Sequence, residues 1–268
     1  MKHLLTVAGS DSSGGAGIQA DLKTFAALGT YGMSCLCAIT AQNTCGVSQV
    51  MNVPVPMIRA QLEAVYADIP PDAVKTGMLS SPEIVTETAE FLGSHRAAPL
   101  VVDPVMVATT GAVLLAPEAV SCLKEKLIPL AHIVTPNLPE AEILWGHPVR
   151  TEKEMEQAAE GILSLGCGAV LVKGGHQTGS ADDVLFEGDH MQWFRSPKIQ
   201  TRSTHGTGCT LSSALAVMLS RGMTAAEAVK EAKKYMNGAI QAGSREPVGH
   251  GNGPVHHFWF YQNWGHME

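Results

Sequence analysis

The sequence predicts an α/β fold with a mainly parallel central sheet and helices on both of its faces. Six short apolar runs without clean alternation read as strands buried on both sides. Amphipathic stretches separate them, so strand-like and helix-like periods alternate along the chain. No Pro/Ser-rich linker, repeat or low-complexity tract breaks the pattern, so residues 1–268 are expected to form a single domain.

HLLTVAG (3–9) is the first strand. One lysine and a short apolar run precede Ser10 and Asp11, too little for a signal segment or a membrane span. A polar loop over residues 10–14, read as flexible and suited to closing over a small molecule, leads into a helix. There Ile18, Leu22, Phe25 and Leu28 share a face and Gly29 supplies the C-cap. GMSCLCAIT (32–40) is the next strand, with Cys35 and Cys37 on one side of it, in the core. Ile58, Leu62, Val65 and Ile69 repeat the helical spacing until Pro70 ends it. DAVKTGML (72–79), PLVVDPVM (99–106), HIVTPN (132–137) and AVLVKGG (169–175) add four strands. Thr151 with Glu154 makes a capping box ahead of EKEMEQAAEGILSL. After Gly175, DDVLFEGDHMQWFRS reads as a hairpin at a sheet edge or a lid. Helices over 209–220 and 224–242 follow.

Composition narrows the partners. Hydrophobic content of 45% and charged content of 16% describe an ordinary soluble core. Net charge is −7 with no dense Lys/Arg run, which argues against nucleic acid and anionic membrane. Six cysteines without CxxC pairing read as reduced thiols of a cytoplasmic protein. Lys233 and Lys234 read as solvated helix lysines, and His256 and His257 lack the partners for a metal site.

In such sheets ligands bind beyond the carboxyl ends of the strands. Polar groups collect there: Ser10, Asp11, Gln42, Asn43, Lys75, Thr76, Asp103, Asn137, Glu140, Lys173 and the turn before Cys209. Residues 15–20 satisfy the dinucleotide pattern G-x-G-x-x-A, but five residues separate them from their strand. The region about 20 residues on is apolar, where a ribose-binding acid belongs. A P-loop fails too, because Gly15 stands where the lysine must be.

THGTGCTLSS (204–213) is the sharper signal. Gly206, Thr207, Gly208 and Cys209 present backbone N–H groups at a helix N-terminus, an anion site suited to a transferring phosphoryl group. The same dipole is expected to lower the Cys209 thiol pKa, so that it accepts a proton. On spacing alone, an inert buried cysteine fits equally well. Asp103 and Glu140 are hard oxygen donors of the kind Mg²⁺ takes together with phosphate oxygens. Asn137 and Glu140 also fit plain helix capping.

Taken together, AGSDSSGGAGIQADLKTF, TAQNT, KTGML, VVDPVMVATTG, VTPNLPEAE, VKGGH, HGTGCTLSSA and GHGNGPVHHFW give the chain a resemblance, nearly end to end, to the hydroxymethylpyrimidine/phosphomethylpyrimidine kinases of thiamine synthesis, of the ribokinase-like superfamily. The resemblance implies a cytoplasmic homodimer that uses ATP and Mg²⁺. It phosphorylates 4-amino-5-hydroxymethyl-2-methylpyrimidine and then the monophosphate. Gln42 matches the pyrimidine-reading side chain; Gly9, Ala16, Met78 and Val105 match positions lining the pyrimidine pocket. Gly206, Thr207 and Gly208 match the anion hole, with Cys209 in the position of the catalytic base. Asp103, Asn137 and Glu140 match the Mg²⁺–phosphate region, and Lys173 a nucleotide-phosphate contact. Pyridoxal kinase is the alternative within the superfamily. A regulatory protein that senses the pyrimidine without catalysis is the alternative outside it, but it needs neither Asp103, Glu140 nor the GTGC turn. Gln42 favours an aminopyrimidine, since a side-chain amide both donates and accepts along a ring edge.

Overall fold

The computed structural model describes residues 1–95, 98–106, 115–175 and 179–261. Residues 107–111 of the VVDPVMVATTG stretch and His176 of VKGGH lie outside them.

Nine strands make one sheet: β1 (His3–Gly9), β2 (Tyr31–Asn43), β3 (Gly46–Asn52), β4 (Ala73–Thr76), β5 (Leu100–Val102), β6 (Ile133–Val134), β7 (Ala169–Val172), β8 (Asp183–Glu187) and β9 (His190–Phe194). Their spatial order is β3-β2-β1-β4-β5-β6-β7-β8-β9. From β2 to β7 neighbours run parallel; β3, β8 and β9 pair antiparallel at the two edges. The expected hairpin is therefore β8–β9 at an edge. Strand β3 had no counterpart in the sequence reading, and nearly all of its residues are exposed, so no burial pattern marks it.

Alternate residues of the central strands feed two cores. Leu5, Val7, Val74, Val102, Val134, Val170 and Val172 face one side. There α2 (Val55–Asp68), α3 (Pro82–Ser94), α4 (Pro117–Cys122), α5 (Leu138–Trp145) and α6 (Glu152–Leu163) pack. Leu4, Ala73, Val101, Ile133, Ala169 and Leu171 face α1 (Gly17–Ala27), α7 (Thr207–Ser220) and α8 (Ala225–Gly243) on the other. Both faces are covered, which is why these strands are short and continuously apolar. Cys35 and Cys37 are wholly buried, as expected of core residues.

Helix α7 begins at Thr207, two residues earlier than expected, so Cys209 lies inside the first turn. Its N-cap, Gly206, has φ +75°, a conformation that disfavours any side chain. Helix α6 has the predicted Thr151–Glu154 capping box.

Candidate active site

The chain passes from β1 to β2 on one side and reaches β4 on the other. The strand order thus reverses beside the carboxyl end of β1, and a crevice opens there. A cavity of about 720 Å³ occupies it. Gly9, Ala16, Gln42, Met78, Val105, Asp103, Asn137, Glu140, Lys173, Gly206, Thr207, Gly208 and Cys209 all line it, with Ser10 and Lys75, whereas Asp11, Asn43 and Thr76 of the strand-end polar groups do not.

One end is small and uncharged. A Cβ added at Gly9 would run into Cε of Met78, so glycine is what lets Met78 close this wall. Gln42 stands at the end of β2, its Oε1 accepting from Thr40 Oγ1 at 3.3 Å. The Ser12 hydroxyl donates to the Gln42 carbonyl and accepts from its N–H, each at 2.8 Å.

The loop between β1 and α1 is more ordered than its polar composition suggested. Its centre is Asp11, which is buried. Asp11 accepts hydrogen bonds from the N–H groups of Ser13, Gly15 and Ala16, from Ser13 Oγ and from His205. Burial opposes ionisation of this carboxyl, but the His205 and Ser13 bonds prevail and hold it well below its ordinary value. Sequence spacing carried no sign of the His205 partnership.

In the middle lies the turn into α7. Gly206 presses on the backbone of Gly15 so closely that a Cβ would overlap the Gly15 carbonyl. The Cys209 thiol beneath corrects an expectation. Burial pushes its pKa up to about 11, the carboxylates of Asp21 and Asp103 add to this, and Lys75 and the Gly17 N–H only partly oppose it. Desolvation outweighs the helix dipole, so Cys209 is a neutral thiol at pH 7. Below it, Lys75 Nζ lies 2.9 Å from both carboxylate oxygens of Asp21. Thr6 Oγ1 (2.6 Å) and Ser213 Oγ (2.7 Å) donate to the same carboxylate. The Lys75 and Asp21 side chains are completely buried. The apolar spacing of Ile18, Leu22, Phe25 and Leu28 gave no sign that Asp21 is buried.

The far end is charged. Lys173 Nζ donates to Asp103 Oδ1 at 2.9 Å, Thr135 Oγ1 donates to the same oxygen at 3.1 Å, and Ser212 Oγ donates to Oδ2 at 3.2 Å. Burial would raise the Asp103 carboxyl, yet Lys173 and Lys75 hold it below its ordinary value. Asn137 and Glu140 do form a capping box at the start of α5: Asn137 N–H donates to Glu140 Oε2 (2.8 Å) and Glu140 N–H to Asn137 Oδ1 (3.0 Å). The capping reading is therefore met, and both residues also line the cavity. Burial raises the Glu140 carboxyl to about 7, with Lys173 pulling against it and Asp103 reinforcing it. Lys233 departs from its expected solvated position. It lines the cavity and donates to Asp183 (2.5 Å) and to the Ala181 carbonyl (2.9 Å). Lys234 is exposed as expected. Pro197, Ile199, Met236 and Ile240 supply an apolar wall beside these charges. Among the described residues no cluster of three or more His, Cys, Asp or Glu side chains is arranged to hold a metal ion. A cation here must take its remaining oxygens from a ligand.

The arrangement suits transfer of a charged group between two molecules held end to end, with backbone N–H groups and paired charges where phosphate would lie. Relatives agree. Residues 11–256 match the family described as phosphomethylpyrimidine kinase. The hydroxymethylpyrimidine/phosphomethylpyrimidine kinase of Rhizobium meliloti is 52% identical over 258 residues, which cover 95% of this chain and 96% of that protein. A thiamine biosynthesis bifunctional protein of Geobacter sulfurreducens is 52% identical over 255 residues and 95% of this chain; the chain spans 52% of its length. A solved structure of Bacillus subtilis pyridoxal kinase, an ADP complex, superposes with a TM-score of 0.90 at 40% identity, covering 98% of this chain and 100% of that one. On residues and fold alike, the chain belongs to the phosphomethylpyrimidine kinase family.

Proposed function

We propose that this protein transfers the terminal phosphoryl group of ATP to the hydroxyl of 4-amino-5-hydroxymethyl-2-methylpyrimidine and then to the monophosphate so formed. The product is the pyrophosphate used in thiamine synthesis. One observation carries the reading: a small uncharged seat walled by Gly9, Ala16, Met78 and Val105 opens directly onto the Gly206–Cys209 turn and the Asp103–Lys173 pair. The relative that matches over nearly its full length is named for both steps.

In this reading Gln42 hydrogen-bonds the ring edge, and the N–H groups of Gly206, Thr207 and Gly208 hold the transferred phosphoryl oxygens. Lys173 meets nucleotide phosphate, and Asn137 sets the start of α5 beside it. Asp103 and Glu140 fit a divalent cation such as Mg²⁺. Both are carboxylates buried at the cavity wall, and Gly208, lacking a Cβ, leaves open the space beside Lys173 Nζ and Asp103 Oδ2. When bound, the cation neutralises phosphate charge. Cys209 takes the hydroxymethyl proton through its minor thiolate form, which the buried Lys75 ammonium favours but burial keeps scarce at pH 7. The transition state is loose, so the alcohol needs its proton removed only late. The monophosphate acceptor is already largely ionised and needs no base, and a neutral thiol does not repel it.

We read the chain as a single-domain cytoplasmic homodimer. All six cysteines are free, which fits a reducing compartment. Ile39 and Met51, paired across β2 and β3, leave apolar surface exposed on one face of this sheet edge, a face suited to a second copy. No helix among the described residues is long and apolar enough to cross a membrane. The pyridoxal kinase likeness favours one alternative acceptor. ADP release measured with the pyrimidine alcohol, its monophosphate and pyridoxal side by side tests the proposal. Turnover confined to pyridoxal would overturn it.

A further inference from the structure

Asp11 and His205 are 194 positions apart, yet His205 Nε2 lies 2.7 Å from Asp11 Oδ2. Both side chains are almost wholly buried. Neither takes part in the phosphoryl transfer proposed above. Three segments converge on them. The Asp11 carboxylate gathers the N–H groups of Ser13 (2.9 Å), Gly15 (3.1 Å) and Ala16 (2.8 Å), and so shapes the loop that brings Ala16 to the acceptor seat. His205 immediately precedes Gly206, the N-cap of the phosphate-holding turn. The His205 N–H donates to the Gly253 carbonyl at 2.9 Å, which anchors that turn to the C-terminal segment. Between loop and turn, Gly206 and Gly15 touch backbone to backbone.

We infer that Asp11 and His205 form a positioning pair that fixes the distance between the acceptor seat and the phosphate-holding turn. The inference rests on the function proposed above. Phosphoryl transfer in line requires the acceptor oxygen within about 3–3.5 Å of phosphorus, and a displacement of about 1 Å is enough to lose about 10²-fold in rate. The seat and the turn belong to opposite ends of the sequence, so their spacing depends on what joins them. A histidine donating from Nε2 makes this bond in either charge state, and the carboxylate, with four other donors on it, has little freedom to follow a retreating partner. The pair has no part in the proposed proton transfer; it acts through alignment.

His205→Gln and His205→Asn test this with the same chemistry and different reach. The glutamine amide nitrogen falls near the position of Nε2, whereas that of asparagine stops short of Asp11. H205N should lower kcat by about 10–100-fold for both acceptors while ADP affinity, by calorimetry, stays within about twofold. H205Q should keep kcat within about threefold of wild type. Equal kcat in the two variants would overturn the inference, as would ADP affinity falling in step with kcat. Amide hydrogen exchange gives a reading that does not depend on the acceptor. In H205N the amides of residues 13–16 and 206–208 should exchange at least tenfold faster, the later turns of α7 staying unchanged, and in H205Q neither group should move. Unchanged exchange in H205N would also defeat the pair. A wild-type protein that phosphorylates none of the three acceptors would defeat the proposed function instead, and exchange would then decide the pair by itself.

Discussion

At the end of the cavity proposed for the acceptor the walls are Gly9, Ala16, Met78 and Val105, and an added methyl at Gly9 would displace the Met78 terminus. At the nucleotide end stand Asp103, Glu140, Lys173, Asp183 and Lys233, their charges bonded to one another or to backbone. The first end selects by shape. An uncharged wall does not orient a ring, and the proposed function gives that task to Gln42. The second end is charged, and these lysines are already bonded to carboxylates, Lys173 to Asp103 and Lys233 to Asp183. If Lys173 meets phosphate as proposed, it does so by exchanging Asp103 for the ligand. Cys209 sits between the two regimes, above the buried Lys75–Asp21 pair, of which Lys75 also lines the cavity.

The largest expected effect falls on that boundary. Cys209→Ala leaves the backbone N–H groups of the turn in place. It should slow the alcohol step by about 10²–10⁴, the usual worth of a positioned base, and the monophosphate step much less. Because the thiol titrates near 11, the thiolate fraction grows about tenfold per pH unit below that value. The alcohol step should climb accordingly between pH 7 and 9 while the monophosphate step stays flat. Following both steps separately by phosphorus NMR checks this, and equal slowing of the two would make Cys209 a shared pocket wall.

Next comes the pair below. Lys75→Met leaves the Asp21 carboxylate buried without its cation, and unfolding in urea should show a loss of about 3–5 kcal/mol. A loss under 1 kcal/mol would mean that Thr6 and Ser213 already satisfy Asp21.

Charge at the nucleotide end can be removed without changing shape. Asp103→Asn should lower kcat/KM for metal–ATP by about 10²-fold and leave pyrimidine binding, measured by calorimetry without nucleotide, nearly intact. Loss of pyrimidine binding instead would place Asp103 in the acceptor seat and erase the division between the ends. At the acceptor end, Gln42→Ala should raise KM for the pyrimidine about tenfold, with KM for ATP hardly moved. An equal rise in both would signal a damaged fold.

The smallest effect is a proton. The Glu140 carboxyl is raised to about 7, so the folded chain holds its proton to higher pH than the unfolded chain does. Stability of the ligand-free protein should therefore fall as pH rises between about 4.5 and 7. A cation bound at Glu140 needs the ionised form. Metal–nucleotide binding should release a proton at pH 6 and none at pH 8, read by calorimetry in buffers of different ionisation enthalpy. Glu140→Gln should abolish the release.

How much of this was legible in the sequence follows from range. The central strands were readable because burial on both faces leaves continuous apolar runs such as VLV at 170–172. β3 was not, because Val50 and Met51 are exposed and its alternation reports no core. Cavity residues were found because chemistry-bearing side chains collect at strand ends. The pairs Asp21–Lys75 and Asp11–His205 went unseen because each joins segments far apart in the chain, and nothing local demands a partner. The dipole argument at Cys209 pointed the wrong way for the same reason. It used the local turn and lacked the burial and the neighbouring carboxylates that only the folded chain supplies.

Helices α7 and α8 cover β1, β4, β5 and α1 on one face of the sheet. In synthesis, α1 reaches that face early, but the β1, β4 and β5 part of it precedes the rest of its cover by about a hundred residues. The opposite face finds α2, α3 and α6 within the first 163 residues, but Leu4, Phe25, Ala73 and Val101 wait for residues beyond 206. A growing chain therefore presents a bare apolar sheet surface for the time needed to add the last quarter of its length, several seconds at about 5–20 residues per second. The close contact of Gly15 with Gly206 cannot form before then, so the catalytic cleft is among the last features to assemble, and truncation before α7 leaves an aggregation-prone fragment instead of a weakened enzyme.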